Sequence, residues 1–228
     1  MAETMSFMRN KYWVLRHGRS IPNEKGFIVS SMENGIRPDY QLAPLGVNQA
    51  QIAGELFNKL LVESCIPLAD VRICYSPFSR TTQTARIVAS VLNIQFDGPQ
   101  CKVMETLHER FFGPSFELGS SDAYNEIYGT LDAIDPLMRP GGGESVDDVA
   151  SRLADAMVTM ESLFQGCTIL VVGHGDPLQI LQAILNAIKL NTYSSYDLAL
   201  RIKNARAPSI LSQHRKLNLR NGELRAVI

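Results

Sequence analysis

The chain has 228 residues, 45% of them hydrophobic and 20% charged, enough for a sizeable core in one domain or at most two. Its formal net charge of −1 gives no electrostatic case for nucleic acid or an anionic membrane as a partner. Cys65, Cys74, Cys101 and Cys167 lie far apart with no Cys-x-x-Cys spacing, which argues against a zinc site or a disulfide framework and suits a reducing compartment.

The first eleven residues contain no long apolar core, and no apolar run is long enough to span a bilayer, so the expected location is cytoplasmic. Tyr12 to Leu15 reads as a short buried strand, followed at once by Arg16-His17-Gly18. A histidine at the carboxyl end of a strand is placed like an active-site residue of an open α/β sheet. Glu24 to Pro44 is rich in Gly, Pro, Ser and Asn and carries Lys25 and Arg37. An irregular stretch of this length is expected to wall the site. Gly46 to Leu61 is expected as a helix with Ala53, Leu56, Phe57, Leu60 and Leu61 on one face. A second strand, Val71 to Tyr75, leads into SPFSRTTQTA and a helix whose apolar positions are Ala85, Val88, Ala89 and Leu92. Arg80 falls in its first turn, where free N–H groups and the helix dipole favour an anion.

The fragment ETLHERFFG, Glu105 to Gly113, sets a carboxylate beside an arginine at the expected end of another short strand. Neighbours in a strand face opposite sides, so only one of His108 and Glu109 can face the site. Glu105 and Glu117 are expected to be structural or solvent-facing. Phe111 to Pro140 holds Phe111, Phe112, Phe116, Tyr124 and Tyr128. These aromatics either pack a helical excursion, Asp122 to Ile134, onto the sheet, or some face the pocket and imply an apolar or ring-bearing portion of the ligand. After the turn PGGGE a helix is expected with Val146, Val149, Leu153, Met157, Met160 and Phe164 at helical spacing, Ser145 as N-cap and Asp148 completing a capping box. Ile169 to Val172 then delivers His174, Pro177 fits the first position of the next helix, and Leu178 to Ile188 is apolar nearly all round. The tail offers two strand candidates, Ser209 to Ser212 and Leu224 to Ile228, around a turn at Asn221-Gly222. His214 reads as a surface residue. The alternation of strands and helices indicates a three-layer α/β fold, and because residues from Arg16 to His174 are to meet in one pocket, a single domain, 1–228, is the better reading.

Taken in order, LRHGRSIPN, SPFSRTTQTA, ETLHERFFG and TILVVGHGDP resemble the histidine phosphatase superfamily, also called the phosphoglycerate mutase-like family, over nearly the whole chain. The resemblance implies an α/β/α sandwich with a mixed, mostly parallel sheet, and segments 24–44 and 111–140 as lids. By position, Arg16, His17, Asn23, Arg80 and His174 correspond to the family's phosphate pocket and Glu109 to its acid/base carboxylate. Ser20 matches its small hydroxyl residue, and Arg110 one of its substrate contacts. Two positions depart from the pattern. Arg19 stands where an acidic residue is common and either holds a second anionic group or is simply exposed. Asp176 either points inward, where it would repel phosphate, or caps the following helix, and the cap is the expected role.

The chemistry follows from these residue types. Phosphoryl transfer needs an aligned nucleophile and positive charge around the transferring oxygens. His17 serves as nucleophile if it is neutral and one ring nitrogen is fixed on a carbonyl. Arg16 and Arg80 offer planar forks for phosphate oxygens, His174 and Asn23 add donors, and Glu109 protonates the leaving oxygen. The expected activity is hydrolysis of a phosphate monoester of a small molecule, or of a phosphoprotein, through phospho-His17 with no metal or cofactor. The alternatives are a phosphoglycerate or phosphosugar mutase, and a binding protein that keeps the pocket without useful turnover. A metal site built from His17, His174 and Asp176 is disfavoured because the nearby arginines would repel a cation.

Overall fold

The computed structural model describes residues 8–190 and 198–227. Residues 1–7, which carry most of the N-terminal stretch considered above, and Ile228 lie outside them. Five strands are present among the described residues: β1 (Lys11–Arg16), β2 (Val71–Tyr75), β3 (Cys101–Val103), β4 (Thr168–Gly173) and β5 (Leu224–Ala226). They form one sheet in the order β3-β2-β4-β1-β5, parallel except for β5, which runs antiparallel to β1. The innermost strand, β4, is buried at every position, as its uninterrupted apolar run requires of a strand covered on both faces.

Alternation along the strands divides the core into two layers. Tyr12, Val14, Ile169 and Val171 point to one face, and Leu15, Leu170, Val172 and Ile73 to the other. The second face is covered by α3 (Pro44–Glu63) and α4 (Ser79–Val91), reached through the short helices α1 (Ile21–Lys25) and α2 (Met32–Gly35). The buried stripe of α3 is Gly46, Ala50, Ala53, Gly54, Phe57 and Leu61, whereas Leu56, expected on that face, is exposed. Glycine at 46 and 54 lets this stripe lie close to its neighbours, and Leu56, about 100° round the helix from Phe57, falls outside it.

On the way to the opposite layer the chain makes α5 (Ala123–Glu126), a π-type turn (Ile127–Leu131) and α6 (Asp132–Ile134). The first face is then covered by α7 (Val146–Leu163), α8 (Gly175–Leu190), α9 (Leu198–Ala205) and α10 (Pro208–Leu211). Ser145 caps α7 with Asp148 completing the capping box, as its spacing implies. The strand expected at Ser209 to Ser212 is instead α10. Pro208 occupies the first helical position, where its fixed φ favours a helix, and the turn buries Leu211 in the core. Gly222 has φ of 73°, the left-handed conformation expected of the Asn221-Gly222 turn, which leads only into β5. No helix among the described residues is long and apolar enough to cross a membrane.

Candidate active site

The carboxyl ends of the parallel strands converge on one cavity of about 210 Å³. His17 follows β1, Ser76 follows β2, and His174 follows β4. Glu109 does not end a strand as expected. β3 stops at Val103, and a 3-10 turn at Glu105–Leu107 carries the chain to Glu109 in an extended loop. His108 is turned away all the same, with its Nδ1 on the Glu109 carbonyl at 2.6 Å.

His17 is almost completely buried, and its backbone N–H binds the Gly173 carbonyl at 3.0 Å, which ties the ends of β1 and β4 together. Gly18 is required beside it, because a Cβ there would sit 2.1 Å from the Gly46 carbonyl oxygen. The His17 ring donates from Nδ1 to the Gly18 carbonyl at 2.7 Å and accepts at Nε2 from Arg80 Nε at 3.1 Å. Burial, and then the charges of Arg80 and Arg16, hold its pKa well below the usual value, so the ring is neutral.

Arg80 stands in the first turn of α4 with Nη2 donating to the Val29 carbonyl at 3.0 Å. Arg16 is anchored by Nη1 on the Leu219 carbonyl at 2.7 Å. Arg16 Nε and Arg80 Nη1 are buried without a hydrogen-bond partner among the described residues, and both side chains line the cavity. His174 is fully buried behind the wall, edge-on to His17 with ring centroids 5.3 Å apart, and its Nε2 pairs with Ser76 Oγ at 2.8 Å. Burial and the charge of Arg80 depress its pKa, so without an anion it is neutral rather than charged.

Glu109 lies 3.7 Å from both Arg80 Nη2 and His174 Nδ1. Burial pushes its carboxyl up to about 7 against the opposing pull of Arg80, with the negative charge of Asp176 adding to the rise. Ser20 caps α1 and Asn23 completes its capping box. Asn23 Oδ1 accepts from Ser20 and Asn221, and both Ser20 and Asn23 line the cavity.

A model of the histidine phosphatase superfamily, branch 1, matches residues 12–219. The chain belongs to that superfamily. No curated protein sequence matches it. Among solved structures it is similar to a mycobacterial protein described as hydrolase 1, with TM-score 0.64 and 22% identity over 94% of this chain and 86% of that one. It is likewise similar to mycobacterial glucosyl-3-phosphoglycerate phosphatase in complex with VO3, with TM-score 0.63 and 21% identity over 94% and 88%. A third is phosphoserine phosphatase from Entamoeba histolytica in complex with 3-phosphoglyceric acid, with TM-score 0.63 and 18% identity over 94% and 88%. These likenesses establish the three-layer fold with its mixed, mostly parallel sheet.

Three expectations are corrected within this histidine phosphatase frame. Arg110 does not reach the cavity. It is fully buried and forks onto Asp132 at 2.6 and 2.9 Å, with Nη1 also on Asp176 at 3.1 Å. Asp176 does not cap α8; it lies inside the first turn, where a partner deeper than the helix N–H groups claims its carboxylate. His214 is not a surface residue. It is fully buried with Nε2 3.2 Å from Asp176 Oδ1 and Nδ1 on the Leu211 carbonyl at 2.8 Å. Although burial opposes charge on each, mutual pairing keeps Asp176 ionised and raises the pKa of His214. The ligand atoms of Asp132, Asp176 and His214 lie within 4.8 Å of one another, but Arg110 already supplies the cation between the two carboxylates.

Arg19 pairs with Glu24 at 3.9 Å, half-exposed and off the cavity wall. Glu117 is structural, accepting from Ser30, Ser31 and Asn34. The aromatics divide: Phe112 packs with Ile28 and Ile127, whereas Tyr124 and Tyr128 also line the cavity. Ser76, Gln179, Arg215 and Asn218 were not singled out from the sequence. Of these only Gln179 left a local signal, as one of two glutamines, with Gln182, set in the mostly apolar run of α8.

Proposed function

We propose that the chain is a phosphatase that hydrolyses a phosphate monoester of a small molecule through a phosphohistidine on His17, without a metal. The observation that carries this reading is the state of His17: Nδ1 is fixed on a carbonyl, which leaves the Nε2 lone pair to act as nucleophile beside two unsatisfied arginine donors. On entry of the substrate, Arg80 Nε exchanges the imidazole for a phosphate oxygen, and Arg16 Nε and Arg80 Nη1 take others. Nε2 attacks phosphorus, a P–N bond forms, and the ester P–O bond breaks as Glu109 gives its proton to the departing oxygen. Glu109 then removes a proton from the water that attacks the phosphohistidine, and the P–N electron pair returns to the ring. A carboxyl held near pH 7 is suited to both halves of this cycle. The incoming dianion reverses the local field at His174 and favours its charged, donating form.

In this reading residues 1–228 act as one catalytic domain in the cytosol, with 24–44 and 111–140 closing over the cavity. The test is His17→Ala. Turnover of p-nitrophenyl phosphate should be abolished, and the alkali-stable, acid-labile phosphate label trapped on the wild-type protein should be lost. Retention of more than a few per cent of activity would overturn the assignment.

A further inference from the structure

Beyond the phosphate end, the cavity continues to a second polar group. Tyr124 and Tyr128 stack with ring planes 9° apart and centroids 5.3 Å apart, and Phe112 braces Tyr124 edge-on at 5.2 Å. The guanidinium of Arg215 lies over the Tyr128 ring, 4.0 Å from its centroid. Gln179, 1% exposed and on the cavity wall, accepts from Arg215 Nη1 at 3.3 Å and donates to Asn218 Oδ1 at 3.2 Å. Arg215 is thus oriented from two sides, and both contacts are neutral. Stacking uses the face of the guanidinium and Gln179 uses one corner, and among the described residues nothing is hydrogen-bonded to the edge formed by Nε and Nη2, the edge on which a carboxylate or phosphate binds in plane.

The acidic groups on the same cavity do not compete for it. Asp176 is taken by Arg110 and His214, and Glu109 faces Arg80 and His174. An arginine held on a tyrosine stack at the margin of a phosphate pocket, with no carboxylate partner among the described residues, is arranged to receive a second anion carried by the ligand.

We propose that Arg215, set by Gln179 and Tyr128, forms a second anion subsite, and that the substrate is a phosphate monoester whose alcohol portion carries a further acidic oxygen group such as a carboxylate. This rests on the phosphatase reading for the orientation of the substrate, with its phosphate at His17. It assigns a determinant of specificity in the C-terminal turn, outside the four motifs that carry the family resemblance.

The test uses monophosphates of ω-hydroxy carboxylic acids with two-to-six-carbon chains, each set against its own methyl ester. The ester keeps the shape and removes only the charge. Affinities are measured by calorimetry at pH 7 in His17→Ala protein, which does not consume the ligand. At one chain length the acid should bind about five- to tenfold more tightly than its ester. That ratio should collapse towards one in His17→Ala/Arg215→Gln and be partly restored by lysine at 215, which keeps the charge without the planar fork. Bisphosphates of the same lengths show whether a second phosphate is preferred to a carboxylate; an advantage of either that depends on Arg215 supports the subsite. Equal affinities at every length, or an advantage unchanged in Arg215→Gln, would overturn it. Wild-type hydrolysis of p-nitrophenyl phosphate is read separately. Its absence would overturn the phosphatase reading, while the binding ratio still decides the subsite.

Discussion

Arg80 Nε donates to His17 Nε2 at 3.1 Å, so the arginine nearest the ring also holds its lone pair in register. Nη2 of the same guanidinium is spent on the Val29 carbonyl, and Nη1 is left for a ligand. Because the fork has fixed jobs on three nitrogens, lysine cannot replace it. Arg80→Ala should lower kcat by about 10³–10⁵, the range for arginines that stabilise a transferring phosphoryl group, and should also weaken inhibition by vanadate. Arg80→Lys should recover little of the rate. Steady-state kinetics that showed the lysine variant within a few-fold of wild type would place Arg80 outside the transition state.

Glu109 offers a different kind of check, because its environment favours the neutral acid. Glu109→Gln should slow hydrolysis most for alkyl phosphates and least for p-nitrophenyl phosphate, whose leaving group needs no proton. A uniform loss across leaving groups would count against Glu109 as the donor. In the wild type, kcat/KM for alkyl phosphates should fall as pH rises through about 7, where the acid ionises. His17, depressed by burial and by the two arginines, should stay competent well into the acid range.

The same shift has a stability consequence of known sign. The folded carboxyl titrates at about 7 against an unfolded value near 4.5, so the folded state binds the proton more tightly. Its contribution to stability is fully present below pH 4.5 and is lost as pH rises through 7, a difference on the order of 3 kcal/mol. Glutamine carries no such penalty. In phosphate-free buffer, chemical denaturation should show Glu109→Gln gaining on the wild type between pH 5 and pH 8. A gap between the two proteins that stays constant over that range would contradict the raised pKa.

The strands and the two histidines at their ends were legible because the signals are local. Tyr12 to Leu15 and Ile169 to Val172 are apolar runs followed by Gly-flanked histidines, and Arg80 enters a helix whose buried face repeats at the helical period. Asp176 and His214 failed for the opposite reason. Asp176 sits beside Pro177 at a helix start, so the local reading is a cap, but its partners come from the Glu109 loop and the C-terminal turn. His214 is polar, is followed by Arg215 and Lys216, and is some forty residues from any motif; nothing nearby reveals that a buried aspartate awaits it. Arg215 was invisible likewise, since its role depends on a tyrosine stack far away in sequence.

That buried cluster makes His214 a test of placement. A surface histidine could be removed with an effect within about 0.5 kcal/mol. Here it is paired with Asp176 inside an array that also contains Arg110 and Asp132, and removal of one member leaves buried charge uncompensated. His214→Ala should therefore destabilise the protein by about 3–5 kcal/mol. Because Asp176 also acts on Glu109, the alkyl-phosphate pH profile of any folded His214 variant should shift as well. A near-neutral urea midpoint would return His214 to the surface reading.

The fate of the phosphoryl group on His17 separates a phosphatase from a mutase. A mutase must hold its substrate by a second charged end, exclude water, and return the group to another hydroxyl. In this chain the segment 113–140 carries Arg139 as its only basic residue, and that residue is paired with Asp148 at 2.7 Å on the surface. Arg110 is spent on Asp132 and Asp176 and does not reach the cavity. Arg215 is left as a cation at the cavity margin, and it is itself exposed to solvent. One exposed arginine can select a second anion without sealing the phosphohistidine from water, so hydrolysis should outrun transfer. With 3-phosphoglycerate, release of inorganic phosphate should exceed formation of the 2-isomer, with or without a bisphosphoglycerate primer. Interconversion faster than phosphate release on the best substrate found would make the chain a mutase.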